Sequence, residues 1–128
     1  MTLQVTVLYA GLMGLILVGL GISVALKRRK HRVGIGDGDN HDLKRGIRVH
    51  GNAAENVPYA VLLLAICEFR GLSTMWLHIF GVAMVVGRLL HISGLTRSPG
   101  TTFGRFYGVV ISWTTMIAMS CFCIYSFF

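Results

Sequence analysis

The chain has 128 residues, of which 54% are hydrophobic and 13% are charged, about half the charged fraction of an ordinary soluble domain. This composition excludes a typical soluble globular protein and predicts a single all-α integral membrane domain. The net charge of +7 does not indicate nucleic-acid binding, because the basic residues flank apolar segments, as the positive-inside rule requires of membrane proteins.

Four apolar segments predict a four-helix bundle, with helices at about residues 3–26, 45–69, 72–95 and 104–127. The first segment has no basic residue before its apolar run and is longer than the roughly 7–15 apolar residues of a signal peptide, so we expect a retained helix. Its small residues, in GLMGLILVGLG, favour close contacts between helices. The second apolar segment is too short to span a membrane by itself. It reaches the required roughly 20 residues only if the helix begins near Arg45 and includes polar residues in its first turns.

The positions of the basic residues predict the orientation of the chain in the membrane. Eight of the twelve Lys and Arg residues lie between Lys27 and Arg48, whereas the second connection carries only Arg70. The remaining three surround the third connection: Arg88, Arg97 and Arg105. We therefore expect both termini on the non-cytoplasmic side and a cytoplasmic loop at residues 27–44.

The second helix carries a polar stripe. Arg48, Asn52, Glu55 and Tyr59 follow one another at helical spacing and share one face. Pro58 lies among them, and a proline inside a helix removes one backbone hydrogen bond and bends the axis. Because a charged side chain inside a bilayer costs roughly 2.5–3.5 kcal/mol on insertion scales, such residues pair or mark a site. A structural Arg48–Glu55 pair and a ligand site both remain open.

The other helices place more basic residues at the same membrane depth. Arg88 and His91 share one face of the third helix, Arg105 begins the fourth helix, and Arg28 and Arg29 end the first. Taken alone, His91 is compatible with a core residue and Arg105 with an interface anchor. Because arginines at one depth repel each other, we expect an anionic ligand bound between the helices near the cytoplasmic face.

The three cysteines lie in apolar segments, and we expect Cys67, Cys121 and Cys123 to be buried as small hydrophobic residues. Their spacing matches neither a CxxC pair nor a Cys/His metal site, so no metal is expected.

RVHGNAAENVP, residues 48–58, resembles the Arg-x-x-x-Asn-x-x-Glu-x-x-Pro signature of the MAPEG superfamily, the membrane-associated proteins in eicosanoid and glutathione metabolism. RRKHRV after the first apolar run and GRLLHISG in the third helix extend the resemblance, which is greatest to short prokaryotic members similar to microsomal glutathione transferases. It implies a homotrimer in a bacterial inner membrane, with glutathione bound between subunits near the cytoplasmic face.

The resemblance also implies roles for particular residues. It implies glutathione binding by five residues: Arg28, Arg48, Asn52, Glu55 and His91. It makes Arg105 the catalytic residue that stabilises the glutathione thiolate. It leaves supporting roles to Arg29, Tyr59, Arg88 and Tyr107.

The implied function is that of a glutathione-dependent transferase or peroxidase acting on lipophilic electrophiles, with membrane lipid as its surroundings. Two positions depart from the family pattern: Leu95 lies where members often have a tyrosine, and Asn56 lies where they have an aromatic residue. The alternative is therefore a non-catalytic member that binds lipid, glutathione or a partner. A third class, the small drug exporters, shares an essential carboxylate in the first helix, and residues 1–26 contain none.

Overall fold

The chain folds into four α-helices in a computed structural model that describes residues 2–97, 100 and 102–128. The helices are α1 (Gln4–His31), α2 (His41–Phe69), α3 (Thr74–Arg97) and α4 (Phe103–Tyr125). The described residues include no β-strand, so the predicted all-α fold is confirmed. The Arg97 side chain and part of the third connection, which the charge pattern assigns to the cytoplasmic side, lie outside the described residues.

The first connection is shorter than the sequence predicts. α1 continues to His31 and α2 begins at His41, so the loop covers residues 32–40 instead of 27–44. Asn40 caps α2 because its side-chain oxygen accepts a hydrogen bond from the backbone nitrogen of Leu43, at 3.0 Å. Leu43 is fully buried, so packing against the bundle stabilises the first turn of α2. The polar residues around Leu43 lower the hydropathy of this turn, so the apolar pattern does not predict it.

Within the described part of the chain, α1, α3 and α4 are long and apolar enough to cross a membrane. α2 has 29 residues and was predicted as a fourth span, but its first half carries charges that lower its hydropathy: Asp42, Lys44, Arg45, Arg48 and Glu55. The protein is therefore an integral membrane helix bundle in which one helix is polar over half of its length.

α2 and α3 form the centre of the bundle, because each packs against the three other helices, while α1 and α4 share no comparable contact among the described residues. Buried side chains between the helices include Met13 from α1, Leu64 from α2, Met84 from α3 and Met119 from α4. This arrangement places the polar stripe of α2 beside α3 and α4, so that three helices can contribute to one site.

A carboxylate caps the N-terminus of α1. Glu68, near the end of α2, accepts hydrogen bonds from the backbone nitrogens of Val5 at 2.9 Å and Thr6 at 2.7 Å. The first amides of a helix have no partner within the helix, and a negative charge there is favourable. The contact shows that α1 and α2 run antiparallel, with the start of α1 beside the end of α2.

Glycines bring α3 and α4 into close contact. A Cβ atom at Gly94 would lie 2.2 Å from the backbone nitrogen of Arg105, and one at Gly108 would lie 2.5 Å from that of His91. Real Cβ atoms do not approach backbone atoms so closely, because the contact lies inside their van der Waals radii. The glycines therefore fix Arg105 and His91, two predicted site residues, on adjoining turns of two helices.

Candidate functional site

A polar pocket of about 370 Å³ lies between α2, α3 and α4. Its polar lining combines three helices: Arg48, Asn52 and Glu55 from α2, Arg88 and His91 from α3, and Ser112 from α4. The three members of the predicted α2 stripe that lie nearest its start thus open into one cavity. The volume falls within the range of roughly 300–1,000 Å³ typical of small-molecule sites.

The inner wall of this pocket holds a buried cation. The Arg88 side chain is 5% exposed, and its Nη1 donates a hydrogen bond to Oδ1 of Asn52 at 2.7 Å. Among the described residues, neither Nε of Arg88 nor Nδ1 of His91 has a hydrogen-bond partner. Buried polar atoms without partners are expensive, so this wall is held in place at a cost in stability, which is typical of functional sites.

The mouth of the pocket carries a pair of opposite charges. Nη1 of Arg48 lies 3.6 Å from Oε1 of Glu55, and the two side chains are 64% and 62% exposed. An exposed pair of this kind contributes only about 0–1 kcal/mol to stability. The Arg48–Glu55 pair considered from the sequence is therefore present. Because the two side chains interact only weakly, each can leave the other and bind an opposite charge on a ligand.

A larger cavity of about 960 Å³ adjoins the polar pocket, because Arg48 and Glu55 line both. Arg105 reaches this cavity from the first turn of α4, and its wall includes the apolar side chains Ile47 and Leu95. Thr102 caps α4 by accepting a hydrogen bond from the backbone nitrogen of Arg105 at 3.3 Å. The structure thus joins a polar compartment to a wider, partly apolar one, with arginines on both sides of the boundary.

Other predicted site residues lie elsewhere within the single chain. Nη1 of Arg28 donates to the backbone oxygens of Gly36 at 2.8 Å and Gly34 at 3.4 Å in the 32–40 loop, and Arg29 is exposed. Tyr59 lines a separate surface groove. The ring of Tyr107 packs against those of Phe103 and Phe106, with centroids 4.2 and 5.3 Å away.

Some pocket residues were missed from the sequence. Val109 and Trp113 complete the α4 wall, and they follow Arg105 by one and two helical turns, which is the only signal the sequence offers. Asn56 also lines the pocket, and its Nδ2 donates to the backbone oxygen of Asn52 at 2.8 Å. Comparison with the family pattern predicts the loss of a contact at Asn56, whereas in the structure Asn56 lines the pocket.

The Asn52–Arg88 hydrogen bond gives a prediction about stability. We expect Asn52→Ala to lower the free energy of unfolding by about 2–3 kcal/mol, because it leaves a buried guanidinium without its acceptor. Asn56→Ala is the matched control and should cost less than about 1 kcal/mol, since within the described residues that amide bonds to the backbone of its own helix. Thermal unfolding in detergent measures both, and equal shifts for the two variants would contradict the assignment.

In the described part of the chain, no group of three or more His, Cys, Asp or Glu side chains lies close enough to hold a metal ion. The side chains that do converge are guanidinium, imidazole, amide and one carboxylate. Arginine is suited to carboxylates because its planar guanidinium donates two parallel hydrogen bonds. The site is therefore equipped to recognise an organic anion that also carries a positive charge.

Fold and site together define a small integral membrane helix bundle with a cationic pocket between its helices. Residues 6–125 match the model of the MAPEG family, and the chain belongs to that family. It is also similar to the inner membrane protein YecN of Escherichia coli strain K12 and to the YecN protein of Escherichia coli O6:H1. Each is 40% identical over 91 residues, which cover 71% of this chain and 70% of the relative.

Proposed function

We propose that the protein is a glutathione-dependent membrane transferase or peroxidase that acts on lipophilic electrophiles. The observation that carries the proposal is that α2 and α3 bring two arginines, a histidine, an amide and a carboxylate to one pocket: Arg48, Arg88, His91, Asn52 and Glu55. Membership of the MAPEG family, whose name refers to glutathione metabolism, supports this choice of ligand.

The charges of the pocket match those of glutathione, a tripeptide with two carboxylates, one ammonium group and two peptide bonds. Arg48 and Arg88 supply guanidinium groups for the carboxylates, and Glu55 supplies a carboxylate for the ammonium. Nδ2 of Asn52 is suited to a peptide oxygen, because its Oδ1 already accepts from Arg88. His91 provides a further polar contact from the same wall as Arg88.

The chemistry requires the thiolate of glutathione, which forms sparingly at neutral pH because a free thiol has a pKa near 8.5. We assign its stabilisation to Arg105, which lines the larger cavity. Lowering the thiol pKa by one unit needs about 1.4 kcal/mol of preferential stabilisation of the charged form. The apolar wall of Ile47 and Leu95 offers the second substrate a place beside the thiolate. The thiolate forms a C–S bond with a carbon electrophile, or it attacks the outer oxygen of a hydroperoxide, breaks the O–O bond and releases the alcohol. In the second case another glutathione attacks the oxidised sulfur, which yields glutathione disulfide and water.

The proposed assembly is a homotrimer in a bacterial inner membrane, with both termini on the non-cytoplasmic side and the site near the cytoplasmic face. The basic residues cluster at the end of the bundle that holds the pocket, as the positive-inside rule requires. In this assembly Arg28 reaches glutathione in a neighbouring subunit. Exposed apolar side chains on α1, such as Leu15 and Val18, are available to face either lipid or neighbouring subunits.

Turnover separates this function from that of a non-catalytic binding protein. The purified protein, incubated with glutathione and a panel of lipophilic electrophiles and hydroperoxides, should yield conjugates or reduced alcohols faster than a no-enzyme control. The Arg70→Gln variant is the matched control, because Arg70 bonds to Ser126 at the opposite end of the bundle. Binding of glutathione without any turnover would reject the enzyme in favour of the binding protein.

A further inference from the structure

Two cysteines meet at the end of the bundle opposite the 32–40 loop. Sγ of Cys67, in the last turn of α2, lies 3.8 Å from Sγ of Cys123, in the last turn of α4. Cys67 is fully buried, Cys123 is half-buried and Cys121 is exposed. The sequence-based prediction that all three are buried hydrophobic residues is therefore wrong for Cys121, because its side chain points out of the bundle.

We propose that Cys67 and Cys123 form a reversible disulfide that links α2 to α4. A disulfide bond is about 2.05 Å long, so the two sulfur atoms need to approach by about 1.8 Å from their separation of 3.8 Å. Rotation of the two side chains is the movement that the proposal requires, since the sulfurs already lie within van der Waals contact of each other. The inference rests on the fold and does not depend on the proposed glutathione chemistry.

Neighbouring contacts hold the two helix ends together. Nε of Arg70, which follows α2, donates to Oγ of Ser126 after α4 at 3.2 Å, and Arg70 also bonds to the Ser126 backbone oxygen. Sγ of Cys67 lies 3.7 Å from the backbone oxygen of Met119. These contacts restrict separation of α2 and α4 on both sides of the thiol pair, which raises the effective concentration of each thiol at the other.

The predicted orientation places this end on the non-cytoplasmic side, where disulfides form and persist in bacteria. The oxidant in the proposal is another disulfide, RSSR. The exposed fraction of Cys123 makes it the first thiolate to attack, which forms a mixed disulfide and releases RS⁻. The Cys67 thiolate then attacks the Cys123 sulfur and releases the second RS⁻. The two thiol protons pass to the released thiolates, so that one protein disulfide and two RSH result.

The disulfide would couple two of the three helices that line the polar pocket. α2 contributes Asn52 and α4 contributes Ser112 to the pocket lining, and the cross-link fixes the opposite ends of both helices. Oxidation is therefore expected to raise the unfolding temperature by several degrees, because the bond restricts the unfolded chain. Reduction should reverse the rise.

The test uses the full chain with Cys121→Ser, which leaves only the two thiols of interest. After reduction and removal of the reductant, the detergent-solubilised protein is treated with 4,4′-dithiodipyridine and its intact mass is measured. We expect the loss of two hydrogen atoms, no pyridyl adduct and recovery of both thiols with dithiothreitol. A chain that carries two adducts, or that keeps both thiols, would overturn the proposal.

Two further variants test the order of attack. In Cys67→Ser/Cys121→Ser the remaining Cys123 should carry one pyridyl adduct, whereas in Cys121→Ser/Cys123→Ser the buried Cys67 should react at least tenfold more slowly. Equal rates at the two positions would contradict the assigned order. If either double variant fails to fold, the mass of the oxidised Cys121→Ser chain decides on the disulfide by itself.

Discussion

Gly108→Ala is expected to destabilise the protein by about 3 kcal/mol, at the upper end of the cost of inserting a methyl group into a packed core. The added Cβ would lie 2.5 Å from the backbone nitrogen of His91 and 2.6 Å from the backbone oxygen of Gly87. Backbone atoms within a helix cannot rotate away as a side chain can, so α3 and α4 must separate. Thermal unfolding of the detergent-solubilised protein measures the effect.

Gly51→Ala is the matched control for this prediction. Gly51 also lies within a helix, but a Cβ there meets nothing within 4 Å. Because alanine is the better helix former, the control should be neutral or more stable by about 0.5–1 kcal/mol. If Gly108→Ala unfolds at the same temperature as the control, the close contact between α3 and α4 is wrong, and so is the position of Arg105 that depends on it.

Arg105→Ala is expected to lower the rate of conjugation or peroxide reduction by about 10²–10³-fold, the usual effect of removing one group that stabilises developing or full negative charge. Glutathione should still bind, because Arg48, Asn52, Glu55 and Arg88 remain in the polar pocket. The ultraviolet absorbance of the bound thiolate reports the effect directly and should disappear in the variant.

Arg105→Lys and Arg70→Gln are the controls for the thiolate measurement. The lysine variant keeps the charge but loses the planar guanidinium, so partial thiolate formation is expected. The Arg70 variant alters an arginine at the far end of the bundle and should behave as wild type. A normal thiolate band in Arg105→Ala would remove Arg105 from the chemistry while leaving the binding site intact.

The helices were predictable because hydrophobic runs of membrane length have few alternatives. Hydropathy predicts a start of α2 near Arg45, whereas the structure begins the helix at His41, because Asn40 caps it and Leu43 is buried. The glycines and aspartates before Asn40 are typical of an exposed loop, so composition alone does not indicate this helix start.

The contribution of α2 to the site was visible as helical spacing within one segment, since Arg48, Asn52 and Glu55 do line one pocket. Contacts between segments were not visible. No spacing in the sequence shows that Arg88 reaches Asn52, or that Glu68 caps α1. Such contacts depend on the relative positions of the helices along their axes. The close glycine contacts between α3 and α4 and the short connections determine these positions.

Isothermal titration of the detergent-purified protein with glutathione shows whether the polar pocket binds this ligand. We expect saturable binding to the wild type and to Arg70→Ala, and a loss of at least tenfold in affinity in Arg48→Ala, which corresponds to about 1.4 kcal/mol. Absence of binding to the wild type, or equal affinity in Arg48→Ala, would contradict this expectation.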